Sequence, residues 1–286
     1  MIHTIAVAGA GTMGSGIALA AALQHYPVTL FDTNAATLLQ AEQLISKNVQ
    51  YLVNKQSLTE ATASTVRNNI TYTTQLSQCV ADVIIEAIVE KLAIKKALYQ
   101  SLANINTEHT IIASNTSSLS ITDIQSQIPH PNRVCGMHFF NPAHIMKLVE
   151  VVAGRHTDAA TIKSIEQLCI ALKKQPVLCK DAPGFIVNRV ARHFYLEAMQ
   201  MASTQGTPIK DIDVLMENAG FKMGPFALMD LIGLDVNYAV SQSIYKAFSE
   251  HPRFSPSPMQ AEKVAQGLLG KKTGEGFYRY VNNEAQ

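Results

Sequence analysis

Residues 6–23 read "AVAGAGTMGSGIALAAAL", and the order of their parts decides the fold. An apolar run that suits a buried strand ends at Gly9. The spacing G-x-G-x-x-G follows at Gly9, Gly11 and Gly14, and an Ala/Leu-rich segment that suits a helix begins at once. Each glycine answers a different demand: Gly9 permits a tight turn, Gly11 lets the backbone approach a pyrophosphate, and Gly14 lets helix and strand pack closely. The pyrophosphate then rests on the helix N-terminus, where unbonded N–H groups and the helix dipole attract it. Thr12 and Met13, between the second and third of these glycines, join the cofactor-binding candidates.

The next strand run, "VTLFD" (28–32), ends in Asp32, eighteen residues after Gly14. A carboxylate at that place accepts hydrogen bonds from the adenosine ribose hydroxyls. It also repels a 2′-phosphate, and the following "TNAAT" supplies no arginine to neutralise one, so NAD rather than NADP is expected. Taken alone, Asp32 has a lesser alternative reading as the cap of a helix beginning near Asn34. The glycines in register favour the nucleotide.

Working outward, strand-length apolar runs recur at "TIAVAG" (4–9), "DVIIEA" (82–87), "TIIAS" (110–114) and "VCGMHF" (134–139), with helical periodicity over 12–25, 34–54 and 90–103. Runs that are apolar on every side suit strands covered on both faces, and their alternation with helices is the doubly wound signature. The expected fold class is α/β: a Rossmann-type doubly wound sheet followed by an all-α C-terminal domain. The pattern changes after "CKDAPGFIVNR" (179–189), beyond which helices are predicted over 185–204, 208–219 and 225–248. The expected domains are therefore an NAD-binding domain over 1–182 and a helical substrate and dimerisation domain over 183–286. The C-terminal helices are rich in Met, Leu and Ala. They can pair with a second copy or close a core of their own.

Bulk properties narrow the function. The chain has 286 residues, a formal net charge of +1 and 16% charged residues, fewer than the roughly 25% usual in soluble proteins. No cluster of Lys and Arg exceeds a pair, so nucleic acid is not an expected partner. No apolar stretch approaches the ~20 residues of a membrane span. The opening "MIHTIAVAGAG" runs straight into a strand, without the marks of an export or transit leader. Cys79, Cys135, Cys169 and Cys179 form no C-x-x-C pair, so the expectation is a cytoplasmic protein with reduced thiols, no disulfides and no metal site.

Redox chemistry at carbon needs a group that exchanges a proton while hydride moves. His138 ends a probable strand, and open α/β sheets bind ligands beyond the carboxyl ends of their strands. Glu150, in the next apolar run "KLVEVV", can approach the imidazole, fix its tautomer and stabilise the imidazolium. Each residue taken alone has a plainer structural reading; together, each supplies the reason for the other. The loop "SNTSSLSITDI" (114–124) offers Ser117 for a substrate oxygen, or it simply starts a helix. In "PGFIVNR" (183–189), Asn188 can face an interdomain cleft or solvent.

The strings "GAGTMGSGIA", "IIEAIVE", "ASNTSSLSIT", "GMHFFNPAHIMKLVEVV", "DAPGFIVNR", "MGPFALMDLIGLD" and "GKKTGEGFYRY" closely resemble the 3-hydroxyacyl-CoA dehydrogenase family, particularly its short-chain members and the bacterial 3-hydroxybutyryl-CoA dehydrogenases. The resemblance runs in order from Ile5 to about Tyr280. It implies oxidation of an L-3-hydroxyacyl-CoA, and the reverse reduction, with His138 as general acid/base, Glu150 as its partner, and Ser117 and Asn188 on the substrate's 3-oxygen. It further implies that Glu90, Lys95 and Ser117 lie at the NAD, that Asn141 lines the active site, and that Lys272 touches or closes over the cofactor. Lys47 and Lys55, on the helical pair after Asp32, are the implied coenzyme A contacts, in a stretch less basic than in many relatives. A homodimer through the helical domain is also implied.

Overall fold

The computed structural model describes residues 2–281 and 284–285. The chain divides into two compact units, Met1–Ala182 and Pro183–Gln286.

The first unit holds an eight-stranded sheet in the order β3-β2-β1-β4-β5-β6-β7-β8. Its strands are β1 (Ile5–Ala8), β2 (Val28–Phe31), β3 (Ile70–Thr73), β4 (Val83–Glu86), β5 (Ile111–Ser114), β6 (Val134–Phe139), β7 (Leu148–Ala153) and β8 (Gln175–Lys180). All neighbouring pairs are parallel except β6 with β7. The helices between them are α1 (Thr12–Ala22), α2 (Ala35–Asn54), α3 (Glu60–Asn68), α4 (Leu92–Ile105), α5 (Ile121–Gln125) and α6 (Ala159–Ala171). Every residue of β1, β4, β5 and β6 is buried, which is why these strands read as unbroken apolar runs. Strand order reverses around β1, which lies between β2 and β4, and that reversal opens a crevice at the carboxyl ends of the strands.

Two strands escape the sequence pattern. Edge strand β3 exposes Thr71, and edge strand β8 exposes Gln175, Leu178 and Lys180, so neither shows a continuous apolar run. Both lie where a strand has a neighbour on one side only.

The second unit contains α7 (Val187–Gln205), α8 (Ile209–Asn218), α9 (Pro225–Ile232), α10 (Leu234–Ala247) and α11 (Pro258–Ala265). The single helix expected over 225–248 is broken at Gly233, whose φ of +101° lies outside the helical region. The expected helical C-terminal unit is present, with one short hairpin added at its end, where β9 (Tyr280–Val281) pairs antiparallel with β10 (Glu284–Ala285). Two-residue strands carry no periodicity that a sequence reading can detect. Tyr195, Met199, Ile212, Phe226, Met229 and Leu234 form the core of this unit. Among the described residues no helix is long and apolar enough to cross a membrane.

Asp230 of α9 organises the motif "GKKTGEGFYRY". Its carboxylate, fully buried, accepts from the N–H groups of Phe277 and Tyr278, both at 2.9 Å, and from the Tyr280 hydroxyl at 3.0 Å. The glycines are there for clearance: a Cβ on Gly276 would lie 2.2 Å from Asp230 Oδ1, and one on Gly270 2.4 Å from the Asp230 carbonyl oxygen. Burial pushes the Asp230 carboxyl above the ordinary range even against these donors. Asp230→Ala would strand three half-buried donors at about 1 kcal/mol each. The expected result is a melting temperature lower by roughly 10 °C, followed by circular dichroism; a change within 2 °C would remove Asp230 from this role.

Candidate active site

The turn from β1 into α1 is shaped by contacts that only glycine tolerates. Gly9 has φ +102°, and a Cβ there would lie 2.6 Å from the Ala87 carbonyl oxygen. A Cβ on Gly14 would lie 1.7 Å from the Gly9 oxygen, whereas one on Gly11 would meet nothing within 4 Å. Two glycines therefore close the turn against β4 and α1, and the third leaves its outer side open. Gly11 is also the N-cap of α1 and offers no side chain to the first N–H groups. Thr12 is exposed there, and Met13 packs on the core beneath.

Asp32 sits at the end of β2 beside this turn. Its Oδ2 accepts from the Ala10 N–H and its Oδ1 from the Asn34 N–H, both at 2.9 Å. The cap of α2 is Asn34, whose side chain accepts from the Ala36 N–H at 2.9 Å, so Asp32 is not spent on capping. A cavity of about 660 Å³ runs from Gly9 and Gly11 past Asp32 and Ala87 to Ile94 and Leu98 of α4. An open glycine, an uncapped helix start, a carboxylate at the strand end and an apolar wall fit a pyrophosphate, a ribose and an adenine in turn.

On the far side of β4 the antiparallel pairing of β6 and β7 sets His138 directly opposite Glu150. Directly opposed residues share one face of the sheet, with Cβ atoms roughly 5 Å apart. His138 Nδ1 and Glu150 Oε2 are 2.8 Å apart, with the two residues 6% and 1% exposed. Phe140 packs its ring on the imidazole at 4.6 Å between centroids. Asn115, just past β5, accepts the Phe139 N–H at 2.8 Å and so ties the end of β6 to the neighbouring loop.

That loop is fixed by a buried ionic network. Glu86, at the end of β4 and fully buried, accepts from Lys95 Nζ at 2.6 Å, from the Ser114 hydroxyl at 2.7 Å and from the Ile88 N–H at 2.8 Å. Lys95, 1% exposed, also meets Glu90 at 3.1 Å. Glu90 in turn accepts from the Thr116 hydroxyl, from the Ser117 N–H at 3.1 Å and from the Ser118 hydroxyl at 3.1 Å. The Lys95 ammonium is thus fully engaged by two carboxylates, and its effect on the crevice passes through Glu90. Ser117 does not cap the next helix; Ser120 does, its hydroxyl accepting from the Asp123 N–H at 3.1 Å. Asp181 adds a second cap, accepting from the N–H groups of Ile121 at 2.9 Å and Thr122 at 2.8 Å.

The remaining candidates lie on other elements. Asn141, exposed, is the second residue of the β6–β7 connection and precedes Pro142 through a cis peptide bond. Lys47 and Lys55 are exposed on α2 and just beyond it, Lys55 over the Tyr51 ring. In the second unit, Asn188 lies half-buried in the first turn of α7, and Lys272 pairs with Asp235 through both carboxylate oxygens, at 2.6 and 2.7 Å. Glu86, Asn115 and Asp181 were not singled out from sequence. The one available signal was a carboxylate closing the apolar run "DVIIEA".

Burial by itself would raise the Glu90 carboxyl, but the charge of Lys95 and the donors Thr116, Lys95 and Ser117 outweigh it and hold the group below the usual range. A depressed folded pKa adds stability above the unfolded value near 4.3, and that stability is lost as pH falls through the folded value. Glu90→Gln should therefore melt lower than the parent at pH 7, and the gap should close as pH drops below about 4. A gap that stays constant from pH 7 to pH 3 would refute the ionic anchor.

Comparison with known proteins places this geometry. The 3-hydroxyacyl-CoA dehydrogenase NAD binding domain matches residues 4–182, and the 3-hydroxyacyl-CoA dehydrogenase C-terminal domain matches residues 184–280. The chain is 46% identical over 97% of its length to the 3-hydroxyadipyl-CoA dehydrogenase of Escherichia coli K12, and spans 59% of that protein. It is 39% identical over 98% of its length to the mitochondrial hydroxyacyl-coenzyme A dehydrogenase of Rattus norvegicus, covering 92% of it. The crystal structure of 3-hydroxybutyryl-CoA dehydrogenase from Escherichia coli K12 superposes with a TM-score of 0.96 at 44% identity, over 100% of this chain and 61% of that one. With a glycine turn, a carboxylate at the end of β2 and both domain matches in sequence order, the chain belongs to the 3-hydroxyacyl-CoA dehydrogenase family and carries its NAD-binding domain.

Proposed function

We propose that this protein oxidises the L-3-hydroxyl of a short-chain 3-hydroxyacyl-CoA, such as 3-hydroxybutyryl-CoA, to the 3-oxoacyl-CoA with NAD, and catalyses the reverse reduction. The observation that carries this reading is the buried His138–Glu150 pair at the carboxyl end of β6. NAD, when bound, supplies the hydride acceptor at the nicotinamide C4.

Glu150 accepts the Nδ1 hydrogen of His138, which makes Nε2 the basic nitrogen of the ring. In oxidation His138 takes the hydroxyl proton as the C3–H bond gives up its hydride, so a proton and a hydride leave and a carbonyl remains. The imidazolium that results is stabilised by the Glu150 carboxylate, which the protein interior keeps close and unsolvated. Reduction runs the same transfers backwards. Ser117 and Asn188 are the proposed hydrogen-bond donors to the 3-oxygen, where charge changes most. Glu90 and Lys95 hold the Ser117 loop beside the cofactor, and Gly9, Gly11, Thr12, Met13, Gly14 and Asp32 receive the dinucleotide. Asn141 lining the site, Lys272 over the cofactor, and Lys47 and Lys55 on coenzyme A complete the proposal. In the second unit, exposed Leu215, Phe221 and Leu231 support pairing with a second copy.

The test follows NADH absorbance with acetoacetyl-CoA, and NAD reduction with 3-hydroxybutyryl-CoA, 3-hydroxyadipyl-CoA and free 3-hydroxybutyrate. Turnover of the thioesters with little on the free acid is expected, and equal rates on free acid and thioester would overturn the coenzyme A reading. His138→Gln should keep NADH binding but lose about 10³-fold or more in kcat, a loss of the size expected when general acid/base catalysis is removed. Normal turnover in that variant would take His138 out of the reaction. Glu150→Gln should lower kcat and displace the pH–rate profile; an unmoved profile would leave Glu150 a structural part only.

A further inference from the structure

The segment that joins His138 to Glu150 is held by a lysine that the catalytic scheme does not use. Lys174 lies in the turn between α6 and β8, 8% exposed, and its ammonium donates to the main-chain carbonyls of Ala143 at 2.7 Å and Met146 at 2.8 Å. Next to it the Gln175 N–H donates to the Lys147 carbonyl at 2.7 Å, so two consecutive residues grip the same connection. The connection also tightens on itself, because the Ile145 and Met146 N–H groups both donate to the Pro142 carbonyl, at 3.0 and 2.9 Å.

Ala143 is 1% exposed and packs on α1 where that helix has Gly16; a Cβ there would lie 3.2 Å from the Ala143 Cβ. The carbonyl that Lys174 holds therefore belongs to the residue wedged against the cofactor helix. Upstream, the same segment begins with Phe140, whose ring lies on the His138 imidazole, and Asn141. A charged group is costly to bury, and main-chain carbonyls offset that cost only in part, so this contact is a poor source of bulk stability. Lys174 and α1 thus hold the connection from two sides, and Phe140 at its start lies against the imidazole.

We infer that Lys174 is a positioning residue for the His138–Glu150 pair, acting by clamping residues 140–147 against α1. The inference rests on the acid/base reading of that pair. Its experiment is Lys174→Met, compared with Lys163→Met on the exposed face of α6, assayed for acetoacetyl-CoA reduction per NADH-binding site. Lys174→Met should lower kcat at least tenfold with the dissociation constant for NADH within twofold of the parent, and Lys174→Arg, which keeps the donors, should recover part of the loss. A role in stability alone would lower the melting temperature and the folded fraction but leave kcat per NADH site within twofold, and that result overturns the inference. If Lys174→Met does not fold, Lys174→Gln, which keeps a donor for one carbonyl, is read by the same two criteria. Absence of turnover in the parent would sink the functional reading, and the inference with it.

Discussion

The antiparallel register of β6 and β7 is the constraint on which the site depends. In a sheet that is otherwise parallel across β3 to β6, this reversal sets two residues twelve apart in sequence side by side on one face, and those residues are an imidazole and a carboxylate. A slip of one residue would send both side chains to opposite faces. The surrounding core excludes water from the pair, which strengthens the interaction between them and makes either one costly without the other.

Charged anchors recur through the first unit, and those around the crevice fix loops. Glu86 and Lys95 neutralise each other beneath the crevice and leave Glu90 to hold the segment bearing Ser117. Asp181 supplies acceptors to the opening turn of α5, close behind that segment. Loops are where proteins place reactive groups, and a loop is as precise as its anchors. In this molecule the anchors are ionic or charge-assisted and come from strand ends and turns, while the apolar residues of the core set the strands themselves.

The second unit follows the same logic with different chemistry. Asp230 and Asp213 each gather main-chain N–H groups and a tyrosine hydroxyl, Asp230 from residues 277–280 and Asp213 from Phe226, Ala227 and Tyr278. The motif "GKKTGEGFYRY", for which the family resemblance implies a cofactor contact through Lys272, is in large part the complement of one buried carboxylate. Lys272 itself is held by Asp235.

By itself the sequence determined the glycine turn, the buried strands β1, β4, β5 and β6, the carboxylate at Asp32 and the change of pattern near Ala182. These are local: periodicity, a spacing of three glycines and an acidic residue at a strand end are all legible within some thirty residues. Edge strands β3 and β8 were not legible, because one-sided pairing imposes no continuous apolar run. Nor could sequence say that β6 and β7 run antiparallel, that Gly233 ends one helix and starts the next, or that Asp32 leaves capping to Asn34. Tertiary structure alone decided which partner each buried charge received. Lys95 comes to Glu86 from the helix after its strand, half-buried Asp181 comes to α5 from some sixty residues away, and Lys174 meets the carbonyls of residues 143 and 146 across about thirty; burying a charge is costly unless the folded chain brings it partners.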